Sequence, residues 1–135
     1  MGASENKQLL QHIFAEMARG NSEPLVTSMA DDFRWTVTGT TAWSKTYEGK
    51  KAVLTDLFGP LRARIEGRLK TIPQRFIAEG DVVVVEARGD NKTKNGVPYN
   101  NTYCFVFRVA DGRLKEVTEY MDTLLVNTVL AAEPA

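Results

Sequence analysis

The chain has 135 residues, of which 43% are hydrophobic and 25% are charged, values typical of one soluble globular domain. The 17 basic and 17 acidic residues balance to a net charge of zero, so no long-range field attracts nucleic acid or an anionic membrane. One cysteine, Cys104, and one histidine, His12, exclude an intrachain disulfide and argue against a zinc site. With no long apolar run and no signal-peptide pattern, we expect a cytoplasmic protein without cofactor, metal, nucleic-acid or membrane partner.

Helical and strand periodicities alternate in the first half of the chain. The predicted elements are a helix over 4–19, a second helix over 22–29, a strand over 33–38, a short strand over 43–47 and a helix over 50–64. Gly59-Pro60 lies inside the last helix. Because proline has no backbone donor, we expect a bend or a local break there.

The second half reads as a run of strands. Pro73 in the strand predicted over 69–79 marks an edge or a bulge. A three-strand meander follows over 81–91, 99–110 and 113–122, with turns at Asn95-Gly96 and Asp111-Gly112, which supply the positive φ angles of tight turns. The tail over 121–130 is apolar and predicts a short helix, either across the mouth of a pocket or against a partner.

Two strands of the meander are apolar at consecutive positions. Val82–Val85 and Tyr103–Phe107 do not alternate between apolar and polar residues, as strands buried on one face do. Both faces of the sheet should therefore be covered. The helices can cover one face, and we expect a second copy of the chain, in a two-fold homodimer, to cover the other. The alternative is a sheet that curls and buries both faces within one chain.

The order of elements resembles the SnoaL-like branch of the nuclear transport factor two-like superfamily, named for a polyketide cyclase. The segments that carry the resemblance are Trp35–Thr40, Tyr47–Val53, Tyr99–Tyr103, Asp111–Leu114 and Glu119–Thr123. The resemblance implies one α+β domain over 1–135: a cone-shaped, strongly bent mixed sheet with three helices of the N-terminal half packed on its concave face. It also implies a pocket on that face and commonly a homodimer.

Alternation places Glu86, Arg88 and Asp90 on one face of their strand, while Glu119 and Met121 share a face of the last strand. If Arg88 and Glu119 both face the pocket, several carboxylates surround one guanidinium, and such a cluster can supply an acid and a base. The catalytic candidates are therefore Arg88, Asp90 and Glu119. The alternative is an ion-pair network at the rim.

Two branches of the superfamily sharpen this hypothesis. Arg88-Gly89-Asp90 is similar to the Arg-x-Asp pair of epoxide hydrolases, with Glu119 at the position of their later acid. The water-holding Tyr and Asn of those enzymes have no counterpart in Phe33–Thr38. Ketosteroid isomerases use a first-strand Asp base, and no carboxylate occurs between Asp32 and Glu48. Steroid isomerisation by that route is therefore excluded.

A mostly apolar pocket predicts a small hydrophobic ligand rather than a phosphate ester. The candidate ligand-contacting residues are Phe14, Met17, Trp35, Trp43, Tyr47, Glu86, Tyr103, Phe105 and Met121. Two functions fit this pattern. One is a cofactor-free acid–base enzyme, whether isomerase, cyclase or hydrolase. The other is a non-catalytic ligand-binding or dimeric interaction module of the same fold.

Overall fold

Six strands form one mixed sheet in a computed structural model that describes residues 2–130. The helices are α1 (Ala3–Met17), α2 (Glu23–Ser28), α3 (Lys50–Ala52), α4 (Gly59–Arg64) and α5 (Thr123–Leu130), with a π-helical segment, Val53–Phe58, between α3 and α4. The strands are β1 (Met29–Val37), β2 (Thr46–Glu48), β3 (Thr71–Glu79), β4 (Val82–Gly89), β5 (Thr102–Ala110) and β6 (Arg113–Met121). Their order is β2-β1-β6-β5-β4-β3, and the predicted α+β class is confirmed.

The meander forms as predicted, with somewhat shorter strands. Asp111 and Gly112 have φ angles of 53° and 72° in the turn between β5 and β6, the left-handed region that a two-residue hairpin turn requires. β4 and β5 are antiparallel, as are β5 and β6. β6 then pairs in parallel with β1, which joins the meander to the first half of the chain.

The register of the meander decides which side chains share a face. Phe105 in β5 lies opposite Val85 in β4 and opposite Glu119 in β6. Directly opposed residues in neighbouring strands point to the same side of a sheet. The side chains of Val85, Phe105 and Glu119 therefore share the face that the helices cover, which we call the inner face.

Helix α1 covers the inner face over β3 and β4 with a period of 3.6 residues. Leu10, Ile13 and Phe14 are all buried. The Phe14 ring lies 5.6 Å from the Phe105 ring and 5.9 Å from the Phe107 ring. This packing makes Phe14 part of the aromatic core.

The predicted break in the third helix appears as the π-helical segment immediately before Gly59-Pro60. The Gly59 amide donates to the Leu54 carbonyl, five residues earlier. A wider turn of this kind accommodates a proline that has no amide to donate and whose ring crowds the preceding turn. The segment also carries Leu57 and Phe58 to the inner face, where both are buried.

The strands of the first half differ from the prediction. β1 begins at Met29 rather than at the predicted residue 33, so Ala30-Asp31-Asp32 also lies in the strand. Trp43 is not in a strand, because β2 starts only at Thr46. The reason is local: the Thr41 amide donates to Ser44 Oγ at 2.9 Å, and the Trp43 amide donates to Thr41 Oγ1 at 3.1 Å. These hydroxyl contacts hold a turn.

β3 is an edge strand, and its pairing with β4 shifts register between Pro73 and Arg75. Both features were expected from Pro73. α5 packs against the cavity described below, and Trp43 Nε1 donates to the Leu130 carbonyl at 3.3 Å. Among residues 2–130, no helix is both long enough and apolar enough to cross a lipid bilayer.

Candidate functional site

An apolar cavity of about 100 Å³ opens on the inner face of the sheet. Strands β1, β5 and β6 supply its floor, and the π-helical segment, α4 and α5 supply its walls. The lining side chains are Met17, Ser22, Leu25, Trp35, Val37, Trp43, Leu57, Phe58, Leu61, Arg62, Leu69, Thr71, Asn91, Tyr99, Tyr103, Phe105, Glu119, Met121, Val126 and Leu130. Such a mostly apolar lining with few polar groups is the usual form of a small-molecule site.

Among residues 2–130, Glu119 supplies the single carboxylate of this lining. Trp35 Nε1 donates to Glu119 Oε1 at 2.8 Å. The indole is held edge-to-face against the Phe58 ring at 5.3 Å and against the Phe105 ring at 6.2 Å. Because the indole is packed on several sides, its hydrogen bond fixes the orientation of the carboxylate.

The other carboxylate oxygen of Glu119, Oε2, accepts no hydrogen bond from residues 2–130. Every fully buried side-chain oxygen in that range has a partner, so Oε2 has accessible surface. Glu119 is also part of the cavity lining. One of its oxygens is therefore held by Trp35, and the other accepts no hydrogen bond within the described residues.

Burial of the Glu119 carboxylate raises its pKa from 4.5 to about 7, and the Trp35 hydrogen bond only partly opposes this shift. Removal from water disfavours the charged form of a carboxyl group. A group with a pKa near 7 is populated in both protonation states at neutral pH. Glu119 can therefore accept or release a proton inside the cavity.

Tyr99 and Tyr103 add two phenol groups to the same lining. Burial raises the pKa of Tyr99, and it raises the pKa of Tyr103 well above its usual value. Asn101, which lies between the two tyrosines in the sequence, is fully buried. Its Nδ2 donates to Tyr99 Oη at 3.2 Å and to the Asp122 carbonyl at 3.1 Å. Both phenols therefore stay protonated, and a side-chain hydrogen bond links them to each other.

Several predicted ligand-contacting residues lie in this lining. They are Met17, Trp35, Trp43, Tyr103, Phe105 and Met121. The other three candidates, Phe14, Tyr47 and Glu86, lie elsewhere. Phe14, on α1, is buried in the hydrophobic core. Tyr47 is also buried, and its hydroxyl donates to the Trp43 carbonyl at 2.8 Å. Neither lines the cavity, because neighbouring aromatic and backbone groups fill the space around each side chain.

The prediction that Arg88 and Glu119 share the pocket is wrong. Arg88 lies opposite Thr102 and follows Ala87, whose side chain points to the inner face. The Arg88 side chain therefore points to the other side of the sheet, the outer face, where it is exposed. Asp90 is exposed beyond the end of β4. Glu86 also faces outward, where it pairs with Arg75 at 2.7 Å. The sequence shows alternation within a strand, but only the pairing with β5 assigns the face.

Sequence reasoning missed several residues of the lining. Tyr99 could have been found, because Tyr99, Asn101 and Tyr103 follow the period of two that places side chains on one face of a strand. Arg62 follows Phe58 by four residues, the spacing that places two side chains on one face of a helix. Thr71, Asn91 and the α5 residues gave no such signal, since they reach the cavity only through tertiary packing.

No group of three or more His, Cys, Asp or Glu side chains within residues 2–130 is arranged to hold a metal ion. Cys104 lies on the outer face, opposite Glu86 and Tyr120. The polar groups available for chemistry in the cavity are therefore the Glu119 carboxylate, the two phenols, Arg62 and the side chains of Ser22, Thr71 and Asn91.

Solved structures similar to this chain have the same fold. An NTF2-like protein from Burkholderia xenovorans LB400 is 26% identical, with 96% of this chain and 98% of that chain covered and a TM-score of 0.74. A candidate SnoaL-like polyketide cyclase from Jannaschia sp. CCS1 is 21% identical, with 98% and 95% covered and a TM-score of 0.76. A candidate isomerase from Bacillus subtilis is 20% identical, with both chains fully covered and a TM-score of 0.77.

No curated protein matches the chain significantly. The sequence profile of the SnoaL-like domain, however, matches residues 10–117, which include β1 to β5 and most of β6. That match covers more than half of the chain, includes β1 and β5 of the cavity floor, and ends before Glu119. The chain therefore belongs to the SnoaL-like domain family.

Proposed function

We propose that the protein binds a small hydrophobic molecule in the cavity and transfers a proton to or from it through Glu119. The observation that carries this proposal is one carboxylate with a pKa raised to about 7 in an apolar cavity. Trp35 holds one of its oxygens, and the other is accessible. A general base is most effective when its pKa lies near the working pH.

The phenols of Tyr99 and Tyr103 support this proposal. Both line the cavity that contains Glu119, and burial keeps them protonated. A buried hydroxyl that donates to an oxygen of the ligand stabilises negative charge developing there when a neighbouring carbon loses its proton. The arrangement therefore favours a ligand with a carbonyl or similar oxygen on an apolar body.

The names of the structural relatives agree with acid–base chemistry. Among the similar structures are a candidate isomerase and a candidate polyketide cyclase. Isomerisation and cyclisation both fit one carboxylate with nearby donors. Hydrolysis by a water-activating Arg-x-Asp arrangement is not proposed, because Arg88 and Asp90 lie outside the cavity.

Proton abstraction can be tested without knowing the natural substrate. 5-Nitrobenzisoxazole is flat and apolar, and removal of its ring C–H proton breaks the N–O bond to give a coloured cyanophenolate. We expect the protein to accelerate this reaction beyond acetate at the same pH, because the Glu119 carboxylate reacts from a water-poor site. A rate no higher than that of acetate would contradict the proposal of a base.

A second candidate function is ligand binding without chemistry. It is favoured by the cavity lining, in which the described part of the chain places no second carboxylate. Calorimetric titration with 2-acetylnaphthalene, a neutral ring ketone, distinguishes the candidates. Binding of 2-acetylnaphthalene together with proton abstraction from 5-nitrobenzisoxazole supports the enzyme. Binding without proton abstraction supports the binding module. If neither is observed, both candidate functions are contradicted.

We further propose that the protein forms a homodimer through the outer face of the sheet. Residues 2–130 leave that face open: Ile77 is 49% exposed and Tyr120 is 50% exposed. Val84 and Val106 extend the apolar row next to Ile77 across the neighbouring strands. Such a row is self-complementary across a two-fold axis, and zero net charge does not oppose association.

Substitution of the exposed apolar residues tests the dimer. We expect Ile77→Glu and Tyr120→Glu to convert a species of twice the chain mass into one of the chain mass, measured by light scattering after gel filtration. Burying unpaired carboxylates in an apolar interface is costly. The control is Leu124→Glu, because Leu124 is 74% exposed on α5. A monomeric wild-type protein would contradict this proposal.

A further inference from the structure

A groove runs along the protein surface beside the mouth of the cavity. It is lined by Gly20, Asn21, Ser22, Glu23, Val26, Arg62, Gly67, Arg68 and Leu69. Ser22, Arg62 and Leu69 belong to both the groove and the cavity. The groove therefore adjoins the cavity, and Arg62 lies at the boundary that they share.

Arg62 is held at this junction by two contacts. Its guanidinium carbon lies 5.3 Å from the centre of the Phe58 ring, and Nη2 donates to Ser22 Oγ at 3.0 Å. A guanidinium has five N–H donors, so most of them are free of these contacts. Because the aromatic ring and the hydroxyl restrict the side chain in advance, less rotamer entropy is lost when it binds a ligand.

No carboxylate within residues 2–130 forms an ion pair with Arg62. This differs from the arginines of the sheet, such as Arg75 with Glu86 and Arg108 with Glu116. An arginine beside an apolar cavity with no acidic partner can neutralise a charge brought by a ligand.

The rest of the groove lining carries one further arginine and one carboxylate, so the positive charge of Arg62 is not cancelled there. Arg68 also lines the groove, and its side chain packs against Gly20, where an added Cβ would lie 3.0 Å from Arg68 Cβ. Glu23 is the one acidic residue that the described residues contribute to the groove lining. The Glu119 carboxylate lines the cavity but forms no ion pair with Arg62. A ligand can therefore contact both groups through different parts of its structure.

We infer that Arg62 binds an anionic group of the ligand, so that the ligand of this cavity is an apolar ring compound carrying a carboxylate or a similar anion. The inference rests on the proposed function, since it requires a ligand in the cavity. The inference adds the chemical class of the ligand and its orientation in the cavity. The apolar body of the ligand lies over Phe105 and Trp35, and its anionic group lies at Arg62. The charge then remains near water, where its desolvation cost is small.

Two probes of the same shape test this inference. 2-Naphthoate carries a carboxylate where 2-acetylnaphthalene carries a neutral acetyl group. We expect Arg62→Gln to weaken binding of 2-naphthoate about tenfold, the effect of losing one charge-assisted hydrogen bond, and to leave the affinity for 2-acetylnaphthalene within about twofold. Calorimetric titration measures both. The matched control is Arg88→Gln on the outer face, which should change neither affinity.

The outcomes separate this inference from the proposed function. An unchanged affinity of Arg62→Gln for 2-naphthoate, with 2-acetylnaphthalene still bound, would overturn the role of Arg62 and leave the cavity as a ligand site. Equal weakening of both probes would assign Arg62 a packing role and overturn the inference as well. If the wild-type protein bound neither probe, both the inference and the proposed ligand site would be wrong.

Discussion

Replacing Glu119 with glutamine should lower the rate of proton abstraction from 5-nitrobenzisoxazole at about pH 8 by roughly a hundredfold or more, the usual contribution of a general base. Glutamine keeps the shape of the side chain and an oxygen that can accept from Trp35 Nε1, which lies 2.8 Å from Oε1 in the wild-type protein. It cannot take up a proton. The loss therefore reports the base itself rather than the packing around it.

The pH profile gives a second measure of the same group. The wild-type rate should rise with pH through about 7 and then level, because only the ionised carboxylate acts as a base and its pKa is raised to about 7. Glu86→Gln is the control, since Glu86 is a carboxylate on the opposite face of the sheet. A Glu119→Gln rate equal to that of the wild type would exclude Glu119 as the base, as would a profile that levels near pH 4.5.

The same substitution should change the stability of the protein in a pH-dependent manner. The pKa of Glu119 is about 7 in the folded protein against an ordinary value of 4.5. Between these values the folded state binds more protons than the unfolded state, so the wild-type protein loses stability as pH rises from about 4.5 through about 7. Above that range the loss is complete.

Glu119→Gln carries no such charge, so its free energy of unfolding should exceed that of the wild type by up to roughly 3 kcal/mol at about pH 8 and should be similar at about pH 4. Urea denaturation at several pH values measures this difference. Other carboxylates act in the opposite direction: hydrogen bonds from Lys115, Arg75 and Arg34 lower the pKa values of Asp32, Glu86 and Glu116, respectively.

Those three groups are present in both proteins, so their contributions cancel in the comparison. Curves for wild type and Glu119→Gln that stay parallel from about pH 4 to about pH 8 would mean that the Glu119 carboxylate is well solvated in the folded state. That result would also remove the basis for a proton-transfer role, because the role depends on a water-poor environment.

A gain in stability together with a loss of chemistry is expected of a functional carboxylate. Burying a charge without an ionic partner costs free energy, and among residues 2–130 only Trp35 Nε1 donates a hydrogen bond to the Glu119 carboxylate. A leucine at this position would satisfy the apolar surroundings better. That an acid occupies the site instead is consistent with the proton-transfer role proposed above.

The sequence alone was sufficient for the order and type of most elements. Period-two and period-3.6 patterns act over a few residues, and so do the backbone preferences of glycine, proline and Asp111-Gly112. The helix α1, the meander, the break before Gly59-Pro60 and the irregularity at Pro73 could therefore be predicted. These local signals in their order also indicated the family.

Tertiary structure decided which of the charged residues meet. Alternation correctly separated Arg88 from Ala87, but it could not say which of the two faces the helices cover. That depends on Phe105, which lies opposite both Val85 and Glu119. A register shift of one residue would have exchanged the faces, so a pairing across three strands, which no local pattern encodes, placed Glu119 inside and Arg88 outside.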